Sequence, residues 1–199
     1  MSEARKRSKN PKFLGFAAIC GILGSVLPLA MILSATFHSS WFSWSLNALS
    51  ELGVGEEAAL FNSAVLLGGG LNFLFALGLY EYLPAEKLNR AGVVSIMVSS
   101  VCLALVGIFT IDHLVLHGIV ALGYFVLAPL GFLLIGFGTK EDVPRKISFI
   151  CGVMALVAIL ILPVVTLALP FKVGFAVPEL VEGLVISTWT IYTSAKLLS

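Results

Sequence analysis

Six long apolar runs, separated by short polar stretches, dominate the pattern of this chain. An α-helix rises about 1.5 Å per residue, so about 20 apolar residues are needed to cross a hydrocarbon core of roughly 30 Å. The pattern therefore predicts an all-α integral membrane protein, a bundle of six transmembrane helices. The predicted spans are residues 13–36, 58–83, 91–111, 114–138, 147–169 and 178–198.

The composition points to the same class and leaves little room for another domain. Hydrophobic residues make up 59% and charged residues 12% of the 199 positions, and the mean hydropathy is +1.05. A soluble globule of this composition would expose more apolar surface than soluble domains tolerate. We expect a basic cytoplasmic tail at residues 1–12 and one transmembrane domain at residues 13–199. The expected partner is membrane lipid and not nucleic acid, with a homo-oligomer or a partner membrane protein left open.

The positions of Lys and Arg predict how the chain is oriented. With six spans, 11 of the 12 Lys and Arg residues fall on one side, and only Lys172 falls on the other. Cytoplasmic loops of membrane proteins carry an excess of these residues. We therefore expect a multi-pass protein of the cell membrane with both termini in the cytoplasm.

The stretch at residues 38–53, HSSWFSWSLNALSELG, is the longest aromatic and polar passage between the spans. Trp41, Phe42 and Trp44 are typical of an aromatic belt at the membrane interface. The leucines that follow suit a short interfacial helix ended by Gly53, with its polar face directed at the bundle. An ordinary outer loop anchored by tryptophans explains the same residues, and both interpretations stay open.

The second span contains Gly68, Gly69 and Gly70, followed by Asn72. Small residues let a neighbouring backbone come close in a membrane, and an amide can bond across such a contact. We interpret this segment as a helix-packing surface.

Apart from Lys172, the ionisable side chains of the outer side are all acidic or histidine. They are His38, Glu51, Glu56, Glu57, Asp112, His113, His117, Glu179 and Glu182. Ionisable groups close to the hydrocarbon are costly and tend to be functional. We therefore expect an outward-facing polar pocket, to which Asn47, Ser50 and Asn62 are assigned together with Glu179 and Glu182.

A metal centre is one hypothesis for this pocket. His113 and His117 are four residues apart, so they share a face if the fourth helix begins by Asp112, and two imidazoles so placed can bind one Zn. His38 or an acidic side chain would supply the third ligand. Glu51 or Asp112 would then act as general base for metal-bound water in the hydrolysis of a lipid or lipid-linked substrate. We also expect Glu51 and His117 to face each other.

Simpler interpretations of the same residues stay open. Asp112 suits the N-cap of the fourth helix, and Glu179 and Glu182 suit the positive end of the sixth helix. The two histidines could simply be solvated at the interface. The protein would then bind lipid, an ion or a partner helix without catalysis. Small-solute transport is a weaker alternative, because no charge lies clearly in the middle of a span.

Several passages resemble a known family. They are residues 47–53 (NALSELG), Asn62 with the glycine-rich second span, and Gly107-Ile108-Phe109 followed by Asp112 and His117. Over nearly the whole chain they are similar to the six-span family catalogued as domain of unknown function 998, found in archaeal and bacterial membranes. The resemblance implies six helices and no established activity. It implies functional-looking positions at Asn47, Ser50, Glu51, Asp112 and His117.

A looser likeness exists to the superfamily of alkaline ceramidases and progestin and adiponectin receptors. Those proteins place Ser, Asp and three His around zinc in a seven-helix bundle. His113 and His117 match their histidine pair, and His38 with Ser39 or Ser40 would complete the set. This chain departs from them in having six spans and in placing the pair before the fourth span, so the likeness is an analogy.

Overall fold

The computed structural model describes residues 10–168 and 174–199, except for the side chains of residues 161–163 and 165–167. Over these residues the chain is helical, which confirms the predicted all-α class. The long helices are α1 (Pro11–His38), α2 (Ala58–Tyr82), α3 (Lys87–Val106), α4 (Leu114–Gly138), α5 (Asp142–Ala168) and α6 (Ala176–Leu198). Two short 3₁₀ helices, Leu49–Val54 and Ile111–His113, lie in the connections α1–α2 and α3–α4.

Five helices of the described part are long and apolar enough to cross a membrane. They are α1, α2, α3, α4 with the 3₁₀ turn before it, and α5 as far as Leu160. The remaining long helix, α6, has 23 residues and is about 34 Å long. Its apolar sequence is interrupted by Glu179 and Glu182 near its start and by Lys196 near its end. The multi-pass class is confirmed, and the sixth span is not.

The six helices form a closed ring. Each long helix packs against its neighbours in the chain, and contacts between α1 and α6 close the ring. In this arrangement the first and last helices both contribute to the interior, so side chains from distant parts of the sequence meet there.

An aromatic layer fills the middle of the ring. Phe132 of α4 stacks on Trp189 of α6 with ring centroids 4.1 Å apart, and Phe75 of α2 meets Trp189 edge-on at 6.4 Å. The Trp189 indole N–H donates to Ser148 Oγ of α5 at 3.0 Å. None of the three aromatic rings is more than 1% exposed. The layer therefore joins four helices across the interior of the ring.

Small residues bring α2 close to both of its neighbours. A Cβ atom on Gly69 would lie 2.5 Å from the carbonyl oxygen of Ser100 and 2.5 Å from the backbone nitrogen of Ala104, both in α3. On its other side, Asn72 Nδ2 donates to the Gly24 carbonyl of α1 at 3.2 Å. The predicted packing role of this segment is confirmed, including the amide that bonds across the contact.

Candidate functional site

Glu51 is held by the connection between α1 and α2, at the end of the ring that we call the outer end. Its Oε1 accepts a hydrogen bond from the Ala48 N–H at 2.8 Å, and its Oε2 accepts one from Asn47 Nδ2 at 2.7 Å. Asn47 Oδ1 accepts in turn from the Ser43 N–H at 2.9 Å. Glu51 thus caps the 3₁₀ helix Leu49–Val54. We call Asn47 and Glu51 together the loop clamp.

Glu179, in the first turn of α6, fastens the same connection to the ring. Its Oε2 accepts from the Leu49 N–H at 2.5 Å, and the Ser50 N–H also donates to its carboxyl group. Beside it, the Ala176 N–H donates to the Asn47 carbonyl at 3.0 Å. The position of the α1–α2 connection therefore depends on the start of α6.

The predicted short helix in residues 38–53 is present, but it is tucked into the ring by its apolar side. Leu49 is 6% exposed and Leu52 is 0% exposed. Asn62 of α2 donates from Nδ2 to the Gly53 carbonyl at 3.0 Å. The sequence predicted that the polar face is directed at the bundle, whereas the structure buries Leu49 and Leu52 there. The helix ends at Val54, one residue beyond the predicted end.

The start of α4 separates the two histidines that were predicted to share a helix face. His113 lies in the 3₁₀ helix before α4 and is exposed, whereas His117 lies in the first turn of α4 and is 7% exposed. Asp112 is exposed as well, and it is not the N-cap, because α4 begins at Leu114 after His113. The spacing argument required a helix that begins by Asp112, and that premise is wrong.

The three histidines do not form a metal centre in the described part of the chain. His117 Nδ1 lies 2.8 Å from the Phe109 carbonyl oxygen, and His38 Nδ1 lies 2.8 Å from the Ser34 carbonyl oxygen. No group of three or more His, Cys, Asp or Glu side chains in residues 10–168 and 174–199 could hold a metal ion. The predicted zinc site of His38, His113 and His117 and the metal-dependent hydrolase built on it have no support here.

The two residues assigned as general bases differ in their surroundings. Glu51 is engaged by the loop clamp, and Asp112 is exposed in the 3₁₀ turn before α4. No hydrogen bond joins Glu51 to His117 among the residues that the structure describes. Each of these two side chains instead bonds to backbone or to a neighbour in its own connection.

His117 uses one of its ring nitrogens, Nδ1, in the hydrogen bond to the Phe109 carbonyl oxygen. A carbonyl oxygen can only accept, so the hydrogen bond to Phe109 places a proton on Nδ1. In the neutral imidazole, Nε2 then stays available as an acceptor. This assignment follows from the bonding partner of the ring.

A cavity of about 100 Å³ lies between α1, α2, α3, α4 and α6, beneath the α1–α2 connection. Most of its wall is apolar. The polar side chains in the wall are Ser25, Ser50, Asn72, His117, Tyr124, Glu179 and Ser187, and no Lys or Arg of the described chain lines it. Of the residues predicted for the pocket, Ser50, His117 and Glu179 meet here. The predicted residues outside the wall are His38, Asn47, Glu51, Asn62, Asp112, His113 and Glu182.

Glu182 lies close to this cavity but has a different environment. It is 0% exposed, and neither carboxyl oxygen has a hydrogen-bond partner among the described residues. A buried polar group without a partner costs free energy. Unlike the Glu179 carboxyl group, the Glu182 carboxyl group therefore has no hydrogen bond among the described residues that would stabilise it near the start of α6.

Tyr124 is a cavity residue that sequence reasoning missed. It follows His117 by seven residues, which is two helical turns, so the two side chains lie on one face of α4. That spacing was the available signal, since a lone Tyr two turns after a buried His in an otherwise apolar span marks a polar stripe.

Comparison with known proteins gives one match. A family model described as "Protein of unknown function (DUF998)" matches residues 22–196, which include all six long helices in whole or in large part. Searches of the curated proteins and of the solved structures found no match.

Proposed function

Because the chain belongs to the DUF998 family, whose description supplies no activity, we propose from its geometry that it binds a small amphiphile in the outer cavity. The ligand would carry a hydroxyl or amino head and a short apolar chain. The proposal takes up the non-catalytic alternative that the sequence left open.

One observation carries the proposal: a small and mostly apolar cavity has hydrogen-bond acceptors among the polar groups of its wall. Ligand sites commonly combine apolar walls with a few placed polar groups. Here the Glu179 carboxyl group, His117 Nε2 and Asn72 Oδ1 are acceptors, and Asn72 Oδ1 is buried without a partner in the described chain. A donor head suits them. A phosphate or carboxylate head does not, because no Lys or Arg is present in the wall.

The cavity size limits the ligand. Its volume of about 100 Å³ is below the roughly 150 Å³ of an engineered cavity that binds benzene. A head and a few carbons of a single chain fill it. A longer chain would have to continue between the helices.

The binding test uses three soluble probes of one chain length. We expect 1-hexylamine, and more weakly 1-hexanol, to raise the melting temperature of the full chain in detergent in a saturable manner, because only the amine can form an ion pair with Glu179. Hexanoate should leave it unchanged. A ligand at a hundred times its Kd stabilises the folded state by about 2.7 kcal/mol. Hexanoate matching or exceeding hexylamine would refute the acceptor assignment.

Two variants separate the cavity from general effects on the detergent. Glu179→Gln keeps an acceptor for the α1–α2 connection but loses the carboxylate, so it should remove the preference for hexylamine over hexanol. Glu56→Gln changes an exposed carboxylate at the same end and should keep the preference. Equal behaviour of the two variants would contradict a role for Glu179.

We further infer that α6 crosses the membrane as a sixth span, with both termini in the cytoplasm. Its length of about 34 Å and its packing against α1 and α5 support this, as does the partition of Lys and Arg. An impermeant thiol reagent should label Ser40→Cys in intact cells. It should label Glu141→Cys and Ser199→Cys only after lysis. Labelling of Ser199→Cys in intact cells would contradict the sixth span.

A further inference from the structure

A second cavity, of about 280 Å³, lies at the inner end of the ring between α2, α4, α5 and α6. Trp189 of the aromatic layer forms part of its wall, whereas the outer cavity reaches only to Ile186 and Ser187 on the same helix. The aromatic layer therefore stands between the two cavities. The ligand proposed for the outer cavity therefore gives no function to the inner cavity.

The wall of the inner cavity contains charges of both signs. They are contributed by Lys140 and Lys196 and by Glu86 and Glu141, which are all exposed at the mouth of the cavity. None of these four side chains forms a salt bridge among the described residues, and the ion pairs of this end gather instead around Asp142. A ligand that carries both a negative and a positive group would pair with this wall.

A buried hydroxyl group adds a second requirement for a polar ligand. Tyr192 lines the cavity, and its hydroxyl oxygen is buried without a hydrogen-bond partner in the described chain. Thr139 and Thr193 contribute further hydroxyl groups to the wall. Buried polar groups are nearly always hydrogen-bonded in folded proteins. The unpartnered Tyr192 hydroxyl therefore indicates a ligand with a polar group in this cavity.

A groove on the outside of α4 and α5, with two aromatic rings among its lining residues, adjoins this cavity. It is lined by Gly136, Phe137, Thr139, Lys140, Arg145 and Phe149, and it shares Thr139 and Lys140 with the cavity wall. Phe137 is 67% exposed and packs edge-on against Phe149 with ring centroids 4.8 Å apart. An acyl chain that leaves the cavity past Lys140 would lie along these rings.

We infer that the inner cavity binds the headgroup of a phospholipid that carries both a phosphate and an amino group, with one acyl chain in the α4–α5 groove. Lys140 and Lys196 pair with the phosphate, as Lys does at many phosphate sites. Glu86 and Glu141 pair with the amino group, and the Tyr192 hydroxyl donates to a phosphate oxygen. The assignment is independent of the ligand in the outer cavity.

The test measures lipid retention by the full chain. Purified protein in detergent is incubated with phosphatidylethanolamine, with phosphatidylcholine, or with soluble phosphoethanolamine, and bound molecules are counted by native mass spectrometry. We expect one phosphatidylethanolamine to be retained. Phosphatidylcholine, which has no N–H donor, should be retained more weakly by about tenfold, the effect of about 1.4 kcal/mol.

Charge variants locate the site. Lys140→Gln and Lys196→Gln should each lower phosphatidylethanolamine retention by about tenfold. Lys87→Gln, an exposed Lys at the same end and outside the cavity wall, should retain the lipid like the parent. Glu141→Gln should reduce the preference for phosphatidylethanolamine over phosphatidylcholine. A loss of retention in Lys87→Gln equal to that in Lys140→Gln would overturn the site.

Tyr192→Phe separates a ligand contact from a structural one. Without lipid, removal of an unpartnered buried hydroxyl should leave the melting temperature unchanged or raised. With lipid, the same variant should retain less phosphatidylethanolamine. Unchanged retention would overturn the role of the hydroxyl, and binding of soluble phosphoethanolamine as tight as that of the lipid would overturn the role of the groove.

Discussion

The loop clamp offers the sharpest test of how the outer end is built. Replacing Glu51 by Gln keeps the shape of the side chain and exchanges one carboxyl oxygen for an N–H donor group. Glu51 accepts from the Ala48 N–H and from Asn47 Nδ2, so Gln can keep only one of these two hydrogen bonds. Asn47 cannot turn its amide to compensate, because Oδ1 already accepts from Ser43.

The expected magnitude follows from the number of bonds lost. A hydrogen bond contributes about 0.5–1.5 kcal/mol net, and one to a charged group about 1.5–3 kcal/mol. Glu51→Gln should therefore lower the free energy of unfolding by about 1–3 kcal/mol, and Glu51→Ala by about 2–4 kcal/mol. Glu56→Gln, at an exposed position, should stay within about 0.5 kcal/mol of the parent.

Thermal unfolding of the full chain in detergent measures these differences, and a double-mutant cycle identifies their source. Asn47→Ala and Glu51→Ala should be non-additive by at least about 0.5 kcal/mol, because both remove the same bond. A catalytic base is often held at a cost in stability, and its replacement then stabilises the protein. A Glu51→Gln variant more stable than the parent would therefore refute the clamp.

Three further predictions concern stability by the same assay. Glu182→Met should raise the free energy of unfolding by about 1–2 kcal/mol, because it removes two buried oxygens without partners in the described chain; a decrease would mean that the carboxyl group has a partner. His117→Ala should lower it by about 1–3 kcal/mol through the lost bond to a carbonyl group, whereas His113→Ala should stay within about 0.5 kcal/mol; equal effects would contradict the different burial of the two rings. Gly69→Ala should lower it by about 1–3 kcal/mol, since the new methyl group meets backbone that cannot give way, whereas Gly70→Ala has open space and should be neutral or stabilising; the reverse order would contradict the α2–α3 packing.

The long helices were readable from the sequence because each one buries or presents apolar surface over its whole length. Their ends were less readable. The third helix begins at Lys87 and not near residue 91, and the sixth begins at Ala176, two residues before Pro178. Apolar windows mark the part that meets lipid, whereas the backbone continues its hydrogen bonds into the polar ends. Lys87 and Arg90 therefore form a first turn that hydropathy assigned to a loop.

The wrong prediction that His113 and His117 share a helix face also came from a misplaced helix end. Its consequence was larger, because the proposed metal site depended on it. Side chains rotate by about 100° per residue around a helix, so a start at Leu114 in place of Asp112 removes His113 from the face of His117. Helix ends fray, and even in a structure their assignment varies by about one or two residues. A metal site that depends on such an end cannot be assigned from spacing alone.

The role of Glu51 was hidden for a different reason. A capping box is recognised by Ser or Thr at the first position and Glu three residues later. Here Ala48 occupies the first position, so only the Glu51 half of the exchange remains. The partner of Glu179 was hidden as well, because it bonds to a backbone N–H 130 positions away in the chain.

Glu179 bonds to the α1–α2 connection and would also contact the proposed ligand. One of its oxygens accepts from Leu49, and its carboxyl group also lines the cavity. A ligand amine that pairs with Glu179 would therefore meet a carboxyl group that the α1–α2 connection already holds in place. Little conformational entropy of that side chain would then be lost on binding. By linkage, the ligand and the docked connection each stabilise the other. Under this proposal the loop clamp would contribute to binding without touching the ligand, although both of its residues lie outside the cavity wall.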